Sequence, residues 1–552
     1  MVESEWVTGH PAERVVGGHP FVPGNRSSMV DGLSPARQPA SGIACTLLSS
    51  IGERPWAGFL LFAAAHATIW TILPFALYPN LPLDIIEALT YGREWQLGYD
   101  KLPPLPWWLV EIAHRTLDSD VAYYVLGQLS VLAAFAAVWT GMLRIATPAA
   151  AAAAVLVIDG LHFFNFTAPK FNHDVIQLPF WALAGLSFHG ALRTGRLGHW
   201  AVLGLALGFA FWAKYFVVIL GFALAIFLLI DSRARRCLAT PGPYLAAAIC
   251  LVVIAPHLVW LHENHWLPLS YAASRAKATH GLLDHVTRPA LFAFAQSFWL
   301  LPAIIISLPL FRRPYESEAT TADDYDRRIF ALLAFGPAIT VIAASALSGR
   351  GLISMWGYPL WLFLGPWIVV SVSSRIDRAC LAQLAATWGA VMAVYALTFV
   401  VQYAVLPHFD HRYRAVLFPG DRLAQEISDR FHAQTGAPLA YIVGTMWLGG
   451  NISHYSADHP RTLIDGDPRR APWIDLSDLA ASGGVVVWST GDPHTIPDAY
   501  AAVAGGAAVQ PPLTIPMRRG NGEVTIGWGI IPPVRQAAGM RMWKSSVYSQ
   551  SW

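Results

Sequence analysis

A chain built from repeated apolar runs of about 20 residues has few folds open to it, because a helix of that length crosses the roughly 30 Å hydrocarbon core of a bilayer. Such runs fall near 56–78, 121–143, 147–163, 171–191, 198–213, 215–231, 243–262, 289–311, 329–348, 352–373 and 379–405. They predict a polytopic α-helical membrane protein of about eleven spans, with the third, fifth and sixth runs short enough to be re-cut. Only 13% of the residues are charged, against about 25% in soluble domains, which supports the same class. An odd number of spans places the two termini on opposite sides.

Loop charges orient the chain. One set of loops carries Arg144, Arg193 and Arg196, Arg233 with Arg235 and Arg236, Arg312 and Arg313 with Arg327 and Arg328, and Arg375 with Arg378. By the positive-inside rule this set and the N-terminus are cytoplasmic. Residues 1–54 are Gly-, Pro- and Ser-rich without periodicity and read as a disordered cytoplasmic segment, or in part as an over-long start, since Met29 could equally begin the protein. The apolar run that follows is too long for a signal-peptide core. Residues 55–405 are the transmembrane domain. From 406 to 552 the pattern changes to that of a soluble α/β domain outside the membrane, with strand candidates at 439–444, 483–489 and 523–531.

A net charge of +2 points to no nucleic-acid partner. Four scattered cysteines without a CxxC pair indicate neither a disulfide framework nor a zinc site. Interfacial belts account for the 23 tryptophans, and membrane lipids are the expected surroundings.

The first outward loop is crowded with groups that a bilayer rejects. LPLDIIEALTYGREWQLGYDKLPPLPWWL, residues 81–109, holds Asp84, Glu87, Arg93, Glu94, Asp100 and Lys101 among five Tyr and Trp residues. Asp84 and Glu87 share a helical face, and Pro103-Pro104 forces an extended exit after Lys101. Further charges fall on the same side: Lys170 and Asp174 around the start of the fourth span, Lys214 in a tight turn, and Arg350 in SGRGLISMWGYP. The 263–288 segment also faces outward, with apolar residues that suit the interface.

Carboxylates (Asp84, Asp100, Asp174) beside cations (Lys101, Lys214, Arg350) suit one chemistry well. The cations neutralise a lipid-linked phosphate as it leaves, while a carboxylate accepts the proton of an attacking hydroxyl. Each group also has a structural explanation. Asp84 would serve as a helix cap, Lys101 as a snorkelling lysine, and Asp174 as the buried partner of Lys170. His66 and His162, on apolar faces, read as core histidines.

The order PLDIIEAL (82–89), GYDKLPPLPWWL (98–109), APKFNHDV (168–175) and FAFWAKYF (209–216) resembles glycosyltransferase family 39 and the ArnT-like group, polyprenyl-phosphate-sugar transferases of the GT-C class. The resemblance covers roughly 56–405 and implies a GT-C-like fold. It makes Asp84 the catalytic base or acceptor-orienting carboxylate and Asp174 the second acidic residue of the cavity. It makes Lys101 and Lys214 contacts to the lipid phosphate, and Asp100 an acidic partner or candidate ligand of a divalent metal ion. The implied donor is a polyprenyl-phosphate-linked sugar, the acceptor a hydroxyl of a lipid, protein or glycan, and the location a bacterial inner membrane with transfer on the outer face. One leucine stands between the Asp-Lys pair and the prolines where the family pattern has none, so the aim of Lys101 does not carry over.

Two other classes compete. A transporter or lipid flippase would place ionisable groups near the midplane of broken helices, often in two related halves. An assembly protein would use the membrane part as an anchor for its outer domain.

Overall fold

The computed structural model describes residues 54–117, 119–311, 321–372, 376–410 and 412–533. All but the last residue of the 1–54 segment expected to be disordered, the cations at 312, 313 and 375, and the last 19 positions therefore lie outside the described residues. The helices are α1 (Pro55–Leu77), α2 (Leu83–Gly92), α3 (Leu105–Leu117), α4 (Asp120–Met142), α5 (Pro148–Asp159), α6 (His173–Thr194), α7 (Leu197–Ala213) and α8 (Val217–Ile230). They continue with α9 (Gly242–Glu263), α10 (Leu267–Arg275), α11 (Asp284–Phe311), α12 (Asp324–Ser348), α13 (Leu364–Val372) and α14 (Arg378–Val400).

Among the described residues seven helices are long and apolar enough to span a bilayer: α1, α4, α6, α9, α11, α12 and α14 with its continuation to His408. The apolar helices α5, α7 and α8 fall in the 10–17-residue class. About eleven full spans are therefore not confirmed by helix length, and the shorter runs have local causes. The 352–373 run contains Gly357, Pro359, Gly365 and Pro366, and it folds as a 3₁₀ turn, further turns and the nine-residue α13. Both glycines are needed for close approach. A Cβ on Gly357 would lie 1.9 Å from the Gln296 side chain, and one on Gly365 would lie 2.2 Å from the Ala154 carbonyl. The 147–163 run ends early at Gly160 and continues as short 3₁₀ turns at His162–Phe164 and Ala168–Lys170.

Helix ends follow sequence chemistry. The Asn172 side chain accepts hydrogen bonds from the Asp174 and Val175 amides to start α6, and Gly195 (φ 67°) ends it in the left-handed region that glycine tolerates. Asp323 and Asp326 form a reciprocal capping box at the start of α12. Alanine-rich α5 is buried along its length, and His66 of α1 meets Asp159 at its end at 2.9 Å. Trp388 of α14 donates to the other oxygen of Asp159 at 2.7 Å, so this buried group ties three helices together.

The C-terminal region carries a six-stranded sheet in the order β2 (Arg461–Ile464), β1 (Tyr441–Gly444), β3 (Gly484–Trp488), β6 (Glu523–Ile531), β4 (Ala508–Val509), with β5 (Leu513–Pro516) also on β6. β1 is parallel to β2 and β3, whereas β3 and β6 are antiparallel. α15 (Gly420–Thr435) and α16 (Met446–Tyr455) pack with Val485 and Val487, and α17 (Leu476–Ser482) packs with Val486 and Trp488. Apolar residues on both faces of β3 explain its unbroken Gly-Val-Val-Val-Trp run. The three expected strands are present. β2, four residues between polar flanks, carried too little pattern to be predicted.

Candidate active site

The sequence from α1 to α6 brings a set of charged groups to one end of the helical bundle. α2 presents Asp84, Glu87 and Tyr91 at i, i+3 and i+7, a single face. Asn172 then joins this face to α6: its Nδ2 donates to Asp84 Oδ2 at 2.9 Å while its Oδ1 caps the helix. His173 Nε2 donates to the Pro103 carbonyl at 3.0 Å and packs edge-on against Trp107 at 4.8 Å. The proline box is thus held to the helix that carries Asp174.

Two ion pairs flank Asp84. Lys101 Nζ lies 3.1 Å from Glu87 Oε2, with both side chains largely buried. Lys214 Nζ lies 2.5 Å from Asp174 Oδ1, which also accepts from Gln177 at 3.0 Å. Burial pushes the Asp84 carboxyl up to about 6; the Asn172 hydrogen bond and Lys170 oppose the rise, and Glu87 and Asp174 add to it. A carboxylate raised this far, yet still ionised near neutrality, is a competent proton acceptor.

Asp84, Lys101, Asp174 and Lys214 are therefore brought together. Asp174 pairs with Lys214 rather than with Lys170, the partner expected of a purely structural role. Asp100 does not stand open to a metal. Its Oδ1 accepts from the Tyr91 hydroxyl at 2.8 Å, its Oδ2 meets Arg470 Nε at 2.6 Å, and no group of three or more His, Cys, Asp or Glu able to hold a metal occurs among the described residues. Arg350 is exposed and donates to the Ala273 carbonyl at 3.3 Å, on the loop pairing in which Lys277 faces Gly351.

Other members could be read only from the structure. Tyr271 of α10 lies with its ring 5.9 Å from Lys101 Nζ and within electrostatic reach of Asp84 and Glu87. Tyr358 is buried with its hydroxyl on Thr167 and feels the charge of Asp84 and Asp174. His257 donates to the Leu97 carbonyl at 2.6 Å and accepts from Tyr215 at 2.8 Å, which fixes the far side of the rim.

The chain is similar in sequence or fold to several known proteins. The family model for dolichyl-phosphate-mannose-protein mannosyltransferases matches residues 101–260. The lipopolysaccharide core galacturonosyltransferase RgtA of Rhizobium johnstonii is 24% identical over 82% of this chain and 92% of its own length. The lipid A galacturonosyltransferase RgtD of the same organism is 27% identical over 38% of this chain, which spans only 47% of it. The crystal structure of ArnT from Cupriavidus metallidurans bound to undecaprenyl phosphate superposes with a TM-score of 0.57 at 14% identity, covering 85% of this chain and 98% of that one. The family match, the relatives and the shared fold agree with the motifs around Asp84, Lys101, Asp174 and Lys214, and the chain is similar to the ArnT-like group of GT-C glycosyltransferases.

Proposed function

We propose that this protein transfers a sugar from a polyprenyl-phosphate carrier to an acceptor hydroxyl at the end of the bundle that bears Asp84. The observation that carries the reading is one half-buried, raised carboxylate that feels the carboxylates of two lysine–carboxylate pairs. The acceptor oxygen attacks the anomeric carbon, its proton passes to Asp84, and the bond from that carbon to the carrier phosphate breaks with its electron pair left on the phosphate. Lys101 and Lys214 are placed to meet the developing phosphate charge, and Asp174 holds Lys214 in position. Asp100 belongs to the structure of the rim in this scheme.

The names of the relatives make a galacturonic acid donor and a lipopolysaccharide acceptor the first pair to assay. The loop cations Arg144, Arg196, Arg235 and Arg236 lie at the opposite helix ends, so the site faces outward from a bacterial inner membrane and the C-terminal domain shares its side. A transporter is disfavoured because these lysines and carboxylates gather at helix ends rather than at the midplane.

The test is transfer of radiolabelled sugar from polyprenyl-phosphate donors by membranes holding wild type or Asp84→Asn. A loss of about 1,000-fold or more with normal insertion is expected of a lost base in a buried site. Unchanged transfer would remove Asp84 from the mechanism.

A further inference from the structure

The C-terminal domain makes its most specific contacts with the segment that leads into Lys101. Arg93 donates to Ser453 Oγ at 3.0 Å and to the His459 carbonyl at 3.1 Å, and Arg461 at the start of β2 forks onto Glu94. The loop after β2, DGDPRRAPW, reaches furthest. Asp465 and Gly466 both sit at positive φ (53° and 68°), a tight reversal that turns the chain toward the helical bundle. Arg470 on this loop is held by Asp465 and places Nε 2.6 Å from Asp100 Oδ2. Three residues on, Trp473 packs edge-on against both Tyr91 and Tyr99, with ring centroids 5.9 and 5.7 Å away.

We infer that Arg470 is a positioning residue of the active site, supplied by the C-terminal domain, which governs how Lys101 meets the carrier phosphate. The inference rests on the transferase reading above for the role of Lys101. Asp100 precedes Lys101 in the chain, and its side chain is 7% exposed. With Tyr91 on one oxygen and Arg470 on the other, its charge is spent locally and its backbone is fixed. Lys101 is then left to Glu87, from which a phosphate can draw it. Without Arg470, a nearly buried anion stands uncompensated beside the lysine and competes with the phosphate for it. The domain therefore completes the binding site rather than only covering it.

The experiment uses full-length protein in detergent or nanodiscs, with undecaprenyl phosphate binding as one readout and sugar transfer as the other. Arg470→Gln should weaken binding of undecaprenyl phosphate by about tenfold or more, raise KM for the donor more than it lowers kcat, and be only partly mimicked by Arg470→Lys. Asp100→Asn combined with Arg470→Gln should bind better than Arg470→Gln alone, because the uncompensated charge has gone. Arg469→Gln, a change on the same loop in an exposed residue paired with Asp467, should match wild type in both readouts.

Wild-type affinity in Arg470→Gln would overturn the inference. So would losses in the double variant that simply multiply, since Arg470 would then act independently of Asp100. If Arg470→Gln does not fold, the same comparisons apply to Arg470→Lys. Wild-type protein that binds the carrier but transfers no sugar would overturn the transferase reading alone, with the role of Arg470 still decided by binding.

Discussion

Asn172 and Asp84, 88 positions apart, are joined by a 2.9 Å hydrogen bond from an amide whose oxygen starts α6. One side chain therefore both starts a helix and stabilises the ionised form of the proposed base. Removing it in Asn172→Ala should cost about 1 kcal/mol of capping energy. It should also disfavour the Asp84 carboxylate, whose pKa then rises above its value of about 6. A general base works ionised, so wild-type transfer falls as pH drops through that value, and in the variant the fall begins at higher pH. A pH profile of kcat/KM whose acid limb does not move would show that Asn172 has no influence on the base.

Glu87→Gln should move the same limb the other way. Glu87 raises the Asp84 pKa through its charge, so neutralising it favours the carboxylate and carries the acid limb to lower pH. Lys101 also loses its partner, and KM for the donor should fall as the free ammonium becomes more available to phosphate. Opposite limb shifts from Asn172→Ala and Glu87→Gln, measured in one buffer series, would assign the limb to Asp84.

Lys214→Met should be more damaging than its place in a tight turn suggests. Its side chain is 12% exposed and that of Asp174 is 8% exposed, so the variant leaves a nearly buried carboxylate unpaired. The cost in stability should be about 3 kcal/mol, with Asp174→Asn in the same chain recovering much of it. Thermal unfolding in detergent separates this loss from the loss of transfer. Transfer should remain low in the stable double variant, because the phosphate contact proposed for Lys214 is still missing.

Much of this site was legible as residues and little of it as geometry. Asp84, Asp100, Lys101, Asp174, Lys214 and Arg350 all stood out because a bilayer rejects unpaired charge, a criterion that marks candidates without saying which of them meet. Asn172 also carried a signal: an Asn two residues before an Asp, at the head of an apolar run, is a helix start. Arg470 carried none, since it meets Asp100 across 370 positions through a domain docking that no local pattern encodes. For Arg350, side-of-membrane reasoning fixes a face and no position on it. The long apolar run at 352–373 misled because hydropathy averages over Gly357 and Gly365, where contacts at 1.9 and 2.2 Å from a would-be Cβ show the backbone to be shaped by packing.

The last prediction concerns that same kind of closeness at the rim. Gly98 lies against Trp260 of α9, and a Cβ added there would come within 2.1 Å of the indole ring. His257, one turn earlier on α9, holds the neighbouring Leu97 carbonyl, so the loop cannot move away without breaking a 2.6 Å hydrogen bond. Gly98→Ala should therefore push on the segment that ends in Asp100 and Lys101, at a cost of about 1–3 kcal/mol. Donor KM should rise with little change in expression. Trp260→Ala alone opens space on the far side of the same contact, and combined with Gly98→Ala it should restore much of the lost affinity. If the double variant is no better than Gly98→Ala, the damage does not come from the indole, and the rim is held in place by the His257 contact instead.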